Sequence, residues 1–225
     1  MPRHKVTVSL AAAVLLAVAP VQAAWIAYQV GDTVNGNQAY GSPLGLDFDA
    51  TARIAVLALG AFDHQRNGIV SPITVRLWQR TGTGSSATGT QIVAPGVPAT
   101  VAGAIPLQAG YAFVTLASPL ILEPGSYTIS AEGYGAGDLN GNSNIGAVVP
   151  RQTDGGGGLL TFVQSRYGSG AGFPSSAGEW GSGANLVPGF SFVAPSFIFA
   201  AVPEPAAAAL LALSLAALAP RRTRR

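Results

Sequence analysis

Between positions 24 and 201 the hydrophobic residues come in short runs separated by clusters of Gly, Asn, Asp, Ser and Pro. That spacing predicts strands joined by turns. Residues 25–30 form the first run, with Asn35-Gly36 as a turn after it. Residues 53–59 are almost wholly apolar and predict a central strand covered on both faces. Residues 73–78 alternate: Ile73, Val75 and Leu77 fall on one face of an extended chain, and Thr74, Arg76 and Trp78 on the other. Residues 81–90 are rich in Gly, Ser and Thr and read as an exposed loop. Strands are expected at 111–116 and 126–130, flanking Glu123-Pro124-Gly125. There Pro124 sets φ and Gly125 accepts a positive φ, as a type II turn requires. Further strands are expected at 145–149 and 159–164, bracketing the glycines of 155–158. A last aromatic strand is expected at 190–199, interrupted by Pro195. No helical periodicity occurs in this region. The pattern predicts an all-β domain, an antiparallel β-sandwich of jelly-roll-like order over 24–201.

The two ends are patterned differently and predict a helix on each side of that sandwich. Arg3 and Lys5 precede an apolar stretch at 6–19, then Val21 and Ala23 place small residues before Ala24. Basic start, short apolar stretch and small-x-small exit are the three parts of a secretory signal, here 1–23, cut by signal peptidase between Ala23 and Ala24. A buried N-terminal helix of a cytosolic domain is the alternative, but the stretch shows no amphipathic face. At the other end Val202, Pro203, Glu204 and Pro205 lead into an Ala/Leu run at 206–219, closed by Arg221, Arg222, Arg224 and Arg225. The prolines break the chain from the domain before it. The run is 14 residues long, short of the roughly 20 that span a bilayer comfortably. The arginines act as a basic stop on the cytoplasmic side. A short, alanine-rich span suits a transient inner-membrane anchor; a plain tail anchor is the alternative.

This order of Val202-Pro-Glu-Pro205, hydrophobic segment and closing Arg cluster resembles the PEP-CTERM sorting tail of Gram-negative bacteria. The resemblance covers about 24 residues at 202–225. It implies that an exosortase, a membrane-embedded cysteine transpeptidase, recognises the motif and processes the tail. It also implies a destination at the cell surface or outside the cell, in association with exopolysaccharide or biofilm. A looser likeness runs through Ala58-Leu-Gly60, Phe62-Asp63, Asn67-Gly68 and Val75-Arg-Leu-Trp78, with 122–127 resembling a later hairpin. These pieces resemble a β-sandwich module of other exported bacterial proteins with such tails, and bring no catalytic residues with them.

Charge sharpens the picture once the ends are set aside. The whole chain carries a net +2, but six of its twelve basic residues lie in the two terminal segments. Residues 24–201 hold six arginines against nine acidic residues, a net charge of −3. A weakly acidic domain without a basic patch does not fit nucleic acid. Cysteine is absent, which excludes disulfide staples and thiol chemistry. About 178 residues suffice for one domain with its own core.

Candidate chemistry is sparse. His64 is the one histidine outside the signal segment, and Asp63, Arg66, Asn67 and Gly68 around it read as a polar turn. Asp47 and Asp49 stand two apart and share a face if extended. Paired carboxylates serve glycoside hydrolysis when they flank a cleft, which here would take Asp49 with Asp63 or Glu132. Asp138, Asn140 and Asn142 alternate like the oxygens of a calcium loop, yet Ser143 and Val149 replace its glycine and its bidentate Glu. That leaves a weak calcium candidate beside an ordinary Asx-rich loop. Trp78 and Trp180, with Tyr134 and Tyr167, are candidates for stacking on sugar rings. The glycines of 155–158 lack the Lys and Ser/Thr of a phosphate loop. The expectation is a noncatalytic exported protein without a cofactor, a carbohydrate-binding module being the alternative.

Overall fold

The computed structural model describes residues 23–148, 150–178 and 190–203. The signal and tail helices expected at the ends, Trp180, Glu204, Pro205 and the four terminal arginines lie outside them. No helix among the described residues is long and apolar enough to cross a membrane. Their structure is all-β and sandwich-like, with curled antiparallel sheets and only two short 3-10 turns.

One sheet runs β1 (Ala24–Ile26), β16 (Pro195–Ala201), β4 (Ile54–Phe62), β9 (Tyr111–Leu122) and β8 (Leu107–Gln108). The larger sheet runs β14 (Ser176–Ala177), β13 (Leu160–Tyr167), β3 (Leu44–Ala50), β10 (Gly125–Glu132), β5 (Ile69–Thr81) and β6 (Thr88–Gln91). In it β7 (Ala99–Gly103) pairs the first half of β5. Two small ladders join β11 (Gly141–Asn142) to β15 (Phe192–Val193) and β12 (Arg151–Thr153) to β2 (Tyr28–Val30).

The core lies between the sheets. Leu44, Leu46 and Phe48 of β3, Ile73, Val75 and Leu77 of β5, and Tyr127 and Ile129 of β10 are buried. Phe48 meets Phe197 of the opposite sheet at 4.8 Å between ring centroids and stacks on Tyr127 at 5.7 Å. Each such ring buried from water contributes on the order of 2–3 kcal/mol. The alternation read at 73–78 is present: Ile73, Val75 and Leu77 face the core, and Arg76 and Trp78 point outward. β4 sits mid-sheet and is buried on nearly every residue, as its apolar run predicts.

Four local expectations are corrected. The stretch 25–30 is two strands, broken at Ala27, which pair with different partners. Residues 81–90 are half a strand, because Thr88–Gln91 pairs with β5. Residues 145–148 are not a strand; Ile145 is 59 % exposed, and pairing resumes at β12. Glu123-Pro124-Gly125 is no hairpin turn, since β9 pairs β4 while β10 pairs β3 and β5. It is a corner between sheets, with Gly125 already the first residue of β10. Tyr127 braces it by donating its hydroxyl to the Glu123 carbonyl at 2.8 Å, a device that sandwich folds use at such corners.

Strand register also fixes two poles. Ala24 pairs Ala200, Ala201 pairs Ile54, Ile54 pairs Leu122, and Gly125 pairs Ala50. Both chain ends of the domain therefore leave from one pole. Leu44, Ala131 and Tyr167 lie at the other, six residues or about 20 Å along β3.

Candidate functional site

The outer face of the larger sheet holds the two carboxylates that the sequence put on one side. Asp47 pairs in register with Thr128 and Gln164, and both side chains donate to it. Arg166, two residues along β13, donates from Nε to Asp47 Oδ1 at 2.8 Å and Oδ2 at 2.7 Å. Arg80 of β5 brings its Nε within 3.4 Å of Asp47 Oδ2 and donates from Nη2 to Asp49 Oδ1 at 2.8 Å. Asp47 and Arg166 have no exposed side-chain surface, whereas the Asp49 side chain is 41 % exposed. Two arginines thus neutralise two carboxylates on a face that alternation alone would leave in water.

A strap formed by 168–175 covers this face. Its Phe173 lies edge-on to Trp78 at 5.7 Å and under the Arg166 guanidinium at 5.2 Å. The remaining Arg166 donors go to the Gly84 and Ser175 carbonyls, tying the 82–86 turn and the strap to the sheet. Two glycines make room. A Cβ on Gly89 would sit 2.2 Å from the Phe173 ring, and one on Gly45 2.7 Å from Pro174. Trp78 is consequently only 5 % exposed, and its indole donates to Ser130 Oγ at 2.8 Å. Its ring faces are covered by protein, so Trp78 is not a stacking platform, which corrects that reading; Trp180 lies outside the described residues.

The carboxylates proposed for hydrolysis do not share a cleft. Asp49 lies opposite Ser126, and Glu132 is six residues further along the same strand, about 20 Å away. Catalytic pairs stand roughly 5–9.5 Å apart. Glu132 is also ion-paired to Arg76, beside a shallow hollow of about 340 Å³ reaching Ser42 and Thr74. Asp63 sits beyond β4, where its Oδ2 accepts the Gly68 N–H at 3.0 Å. Burial pushes its carboxyl up, and the nearby Asp138 charge adds to this, while the Gly68 and Asn67 N–H groups oppose it. His64 begins the short 3-10 turn and uses Nδ1 to accept the Gly36 N–H, so the polar-turn reading holds.

Asp138, Asn140 and Asn142 direct their oxygens at the chain itself. Asp138 accepts the Val70 and Ser71 N–H groups, Asn140 Oδ1 accepts that of Tyr40, and Asn142 Oδ1 that of Asn144. Asn140 and Asn142 both donate Nδ2 to Gln38 Oε1 at 3.0 Å. The Asx-rich segment, buried at Asp138, Asn140 and Asn142, is a tether joining 138–144 to 37–40 and to β5. Among the described residues no group of three or more His, Cys, Asp or Glu side chains is placed to hold a metal ion.

This tether forms one wall of a cavity of about 310 Å³ at the pole opposite the chain ends. Tyr40, Tyr167 and Phe192 line it, together with Leu44, Gln38, Asn142 and Asn144. Tyr167 and Phe192 meet edge to face at 6.4 Å. Tyr40 donates its hydroxyl to the Gly168 carbonyl. Burial, and then the neighbouring Tyr167, push the Tyr40 phenol up, which keeps it neutral. Tyr134 is buried; it accepts the Phe62 N–H and donates to the Ala194 carbonyl, next to the strand that carries Phe192. Of the aromatic residues singled out in the sequence, Tyr167 alone among those described faces this cavity. Tyr40 and Phe192 were missed because they come from segments far apart in the chain.

The predicted cleavage site and the first tail residues sit at the other pole. Ala23 is exposed, and Ala24 opens β1 beside β16. Val202 donates its N–H to the Arg53 carbonyl at 3.2 Å, and Pro203 follows with no N–H to continue the ladder. Among known proteins, no family model, no curated protein and no solved structure matches the chain.

Proposed function

We propose that this is a noncatalytic exported protein of the bacterial cell envelope or extracellular matrix, delivered by its signal segment and sorted through its C-terminal tail. The observation that carries the reading is the tail itself: Val202-Pro-Glu-Pro205, a short Ala/Leu segment and a closing arginine cluster. Signal peptidase cuts before Ala24. The tail holds the protein transiently in the inner membrane, an exosortase acts on it, and the domain then remains at the surface or is released. Association with exopolysaccharide follows from the resemblance of the tail.

Two structural features support this order of events. Among the described residues the last backbone hydrogen bond to the sandwich is made by Val202, the first residue of the motif. Ala24 and Ala200 pair, so the domain's first and last strands end at one pole, as delivery and sorting at a single membrane would require. We also read the strand order as jelly-roll-like, because β3, β4, β5, β9 and β10 alternate between the two sheets in turn.

Intact-mass analysis of the protein from host cells with and without the exosortase tests the proposal. The expected result is an N-terminus at Ala24 in both strains and loss of the arginine-terminated tail only where the enzyme is present. A C-terminus running through Arg225 in both strains defeats it.

A further inference from the structure

We infer that the cavity between Tyr40, Tyr167 and Phe192 is a binding site for a neutral saccharide, presented at the pole away from the chain ends. At about 310 Å³ it lies at the lower end of the range of small-molecule sites. Its walls are aromatic rings, whose faces and edges take the C–H surfaces of a sugar ring. Among the described residues no charged side chain lines it, so they offer an anionic ligand no cation and a cation no carboxylate.

Gln38, Asn142 and Asn144 belong to the same lining and bring amide groups that an apolar ligand would not need. Gln38 Oε1 is held by two amide donors, from Asn140 and Asn142, which fixes the Gln38 side chain and turns its Nε2 outward from that pair. Among the described residues, neither Gln38 Nε2 nor the Asn144 side-chain amide has a hydrogen-bond partner. A primary amide offers both donors and an acceptor, matching hydroxyl groups that do both. The Asn140–Gln38–Asn142 tether and the Tyr134–Ala194 bond hold the walls in place without ligand, so little ordering opposes binding.

The outward-facing placement rests on the sorting proposal; the site itself does not. Binding is therefore measured on the purified, unprocessed full-length protein, where exosortase action plays no part. The probes are neutral gluco-, galacto- and manno-oligosaccharides on an array, with saturation-transfer NMR, beside an oligouronate and a medium-chain fatty acid. The expected result is binding of at least one neutral series at millimolar concentration or below. Tyr167→Ala weakens it roughly tenfold, equivalent to about 1.4 kcal/mol. Asn144→Ala, an exposed change that leaves thermal unfolding untouched, weakens it a few-fold. The inference is overturned if no neutral saccharide binds, if only the uronate or the fatty acid does, or if binding survives both substitutions unchanged.

Discussion

Replacing Asp47 with asparagine keeps the size and planarity of the side chain and removes its charge. In the native structure that charge faces Arg166, which is wholly buried, and Arg80, whose side chain is 2 % exposed. After D47N the two arginines share one acidic neighbour, Asp49, which touches Arg80 and not Arg166. Arg166 cannot withdraw to water, since its Nη atoms are bonded to the Gly84 and Ser175 carbonyls beneath the strap. Removing one partner of a buried pair costs about 3–5 kcal/mol, because the remaining charge stays desolvated without compensation. The asparagine Nδ2 adds to the cost by facing Gln164 Nε2 or Arg166 Nε, which are both donors. For a chain of this size each kcal/mol moves the unfolding midpoint by roughly 2–4 °C, so the expected drop is on the order of 10 °C. A thermal melt of the purified variant measures this drop, and guanidinium unfolding the free-energy loss, with the slope unchanged if only stability is affected. D49N is the internal control, expected to cost less than about 1 kcal/mol because that side chain is 41 % exposed. The double variant D47N/R166M should recover at least half of the loss, since both buried charges leave together. Equal losses for D47N and D49N, or a D47N loss under about 1 kcal/mol, would refute the reasoning.

Two further predictions follow from the same geometry. Asp63 has a folded-state pKa raised by burial, so its contribution to stability is full below the unfolded value near 3.9 and is lost as pH rises through the folded value. D63N can still accept the Gly68 N–H and is free of that loss; urea melts should show its advantage over wild type growing from pH 3.5 to neutrality, and parallel curves would count against it. Phe173→Ala uncovers the indole of Trp78, so in a Trp25→Phe, Trp180→Phe background the emission should shift to the red and quench more readily with acrylamide, while unchanged quenching means that the strap does not cover the ring.

What the sequence discloses about the fold is its local period. The alternation at 73–78 and the apolar run that became β4 could be read directly because each side chain's face depends on its neighbours one and two positions away. Glu123-Pro124-Gly125 misled for the complementary reason. A tight turn within a hairpin and a corner between sheets use the same residues, and the difference lies in the partners of β9 and β10. Ile145 and its apolar neighbours likewise have strand composition, but the Asn142–Asn144 turn before them sets the chain on a path with no strand to join. The site was legible to the same degree. Asp47 and Asp49 share a face as their spacing requires, yet nothing near them announces Arg166, 119 residues away.

That distant pairing also changes the meaning of the glycines. A domain with 29 glycines in its chain and few charges reads as loose and loop-rich, but Gly45 and Gly89 do the opposite of loosening. They create the space in which Pro174 and Phe173 close over the sheet. Once closed, the strap removes Trp78, Arg80 and Arg166 from solvent together, and the face best endowed with chemistry-bearing residues becomes interior. Tyr40 and Tyr167 stay partly exposed, and they lie at the pole where strand register puts neither chain end. If the tail is processed at the membrane, that pole faces outward, and a substitution there should alter what the protein holds without altering how it is delivered. A Tyr167→Ala variant that reaches the surface with normal processing but no longer retains saccharide would separate the two roles.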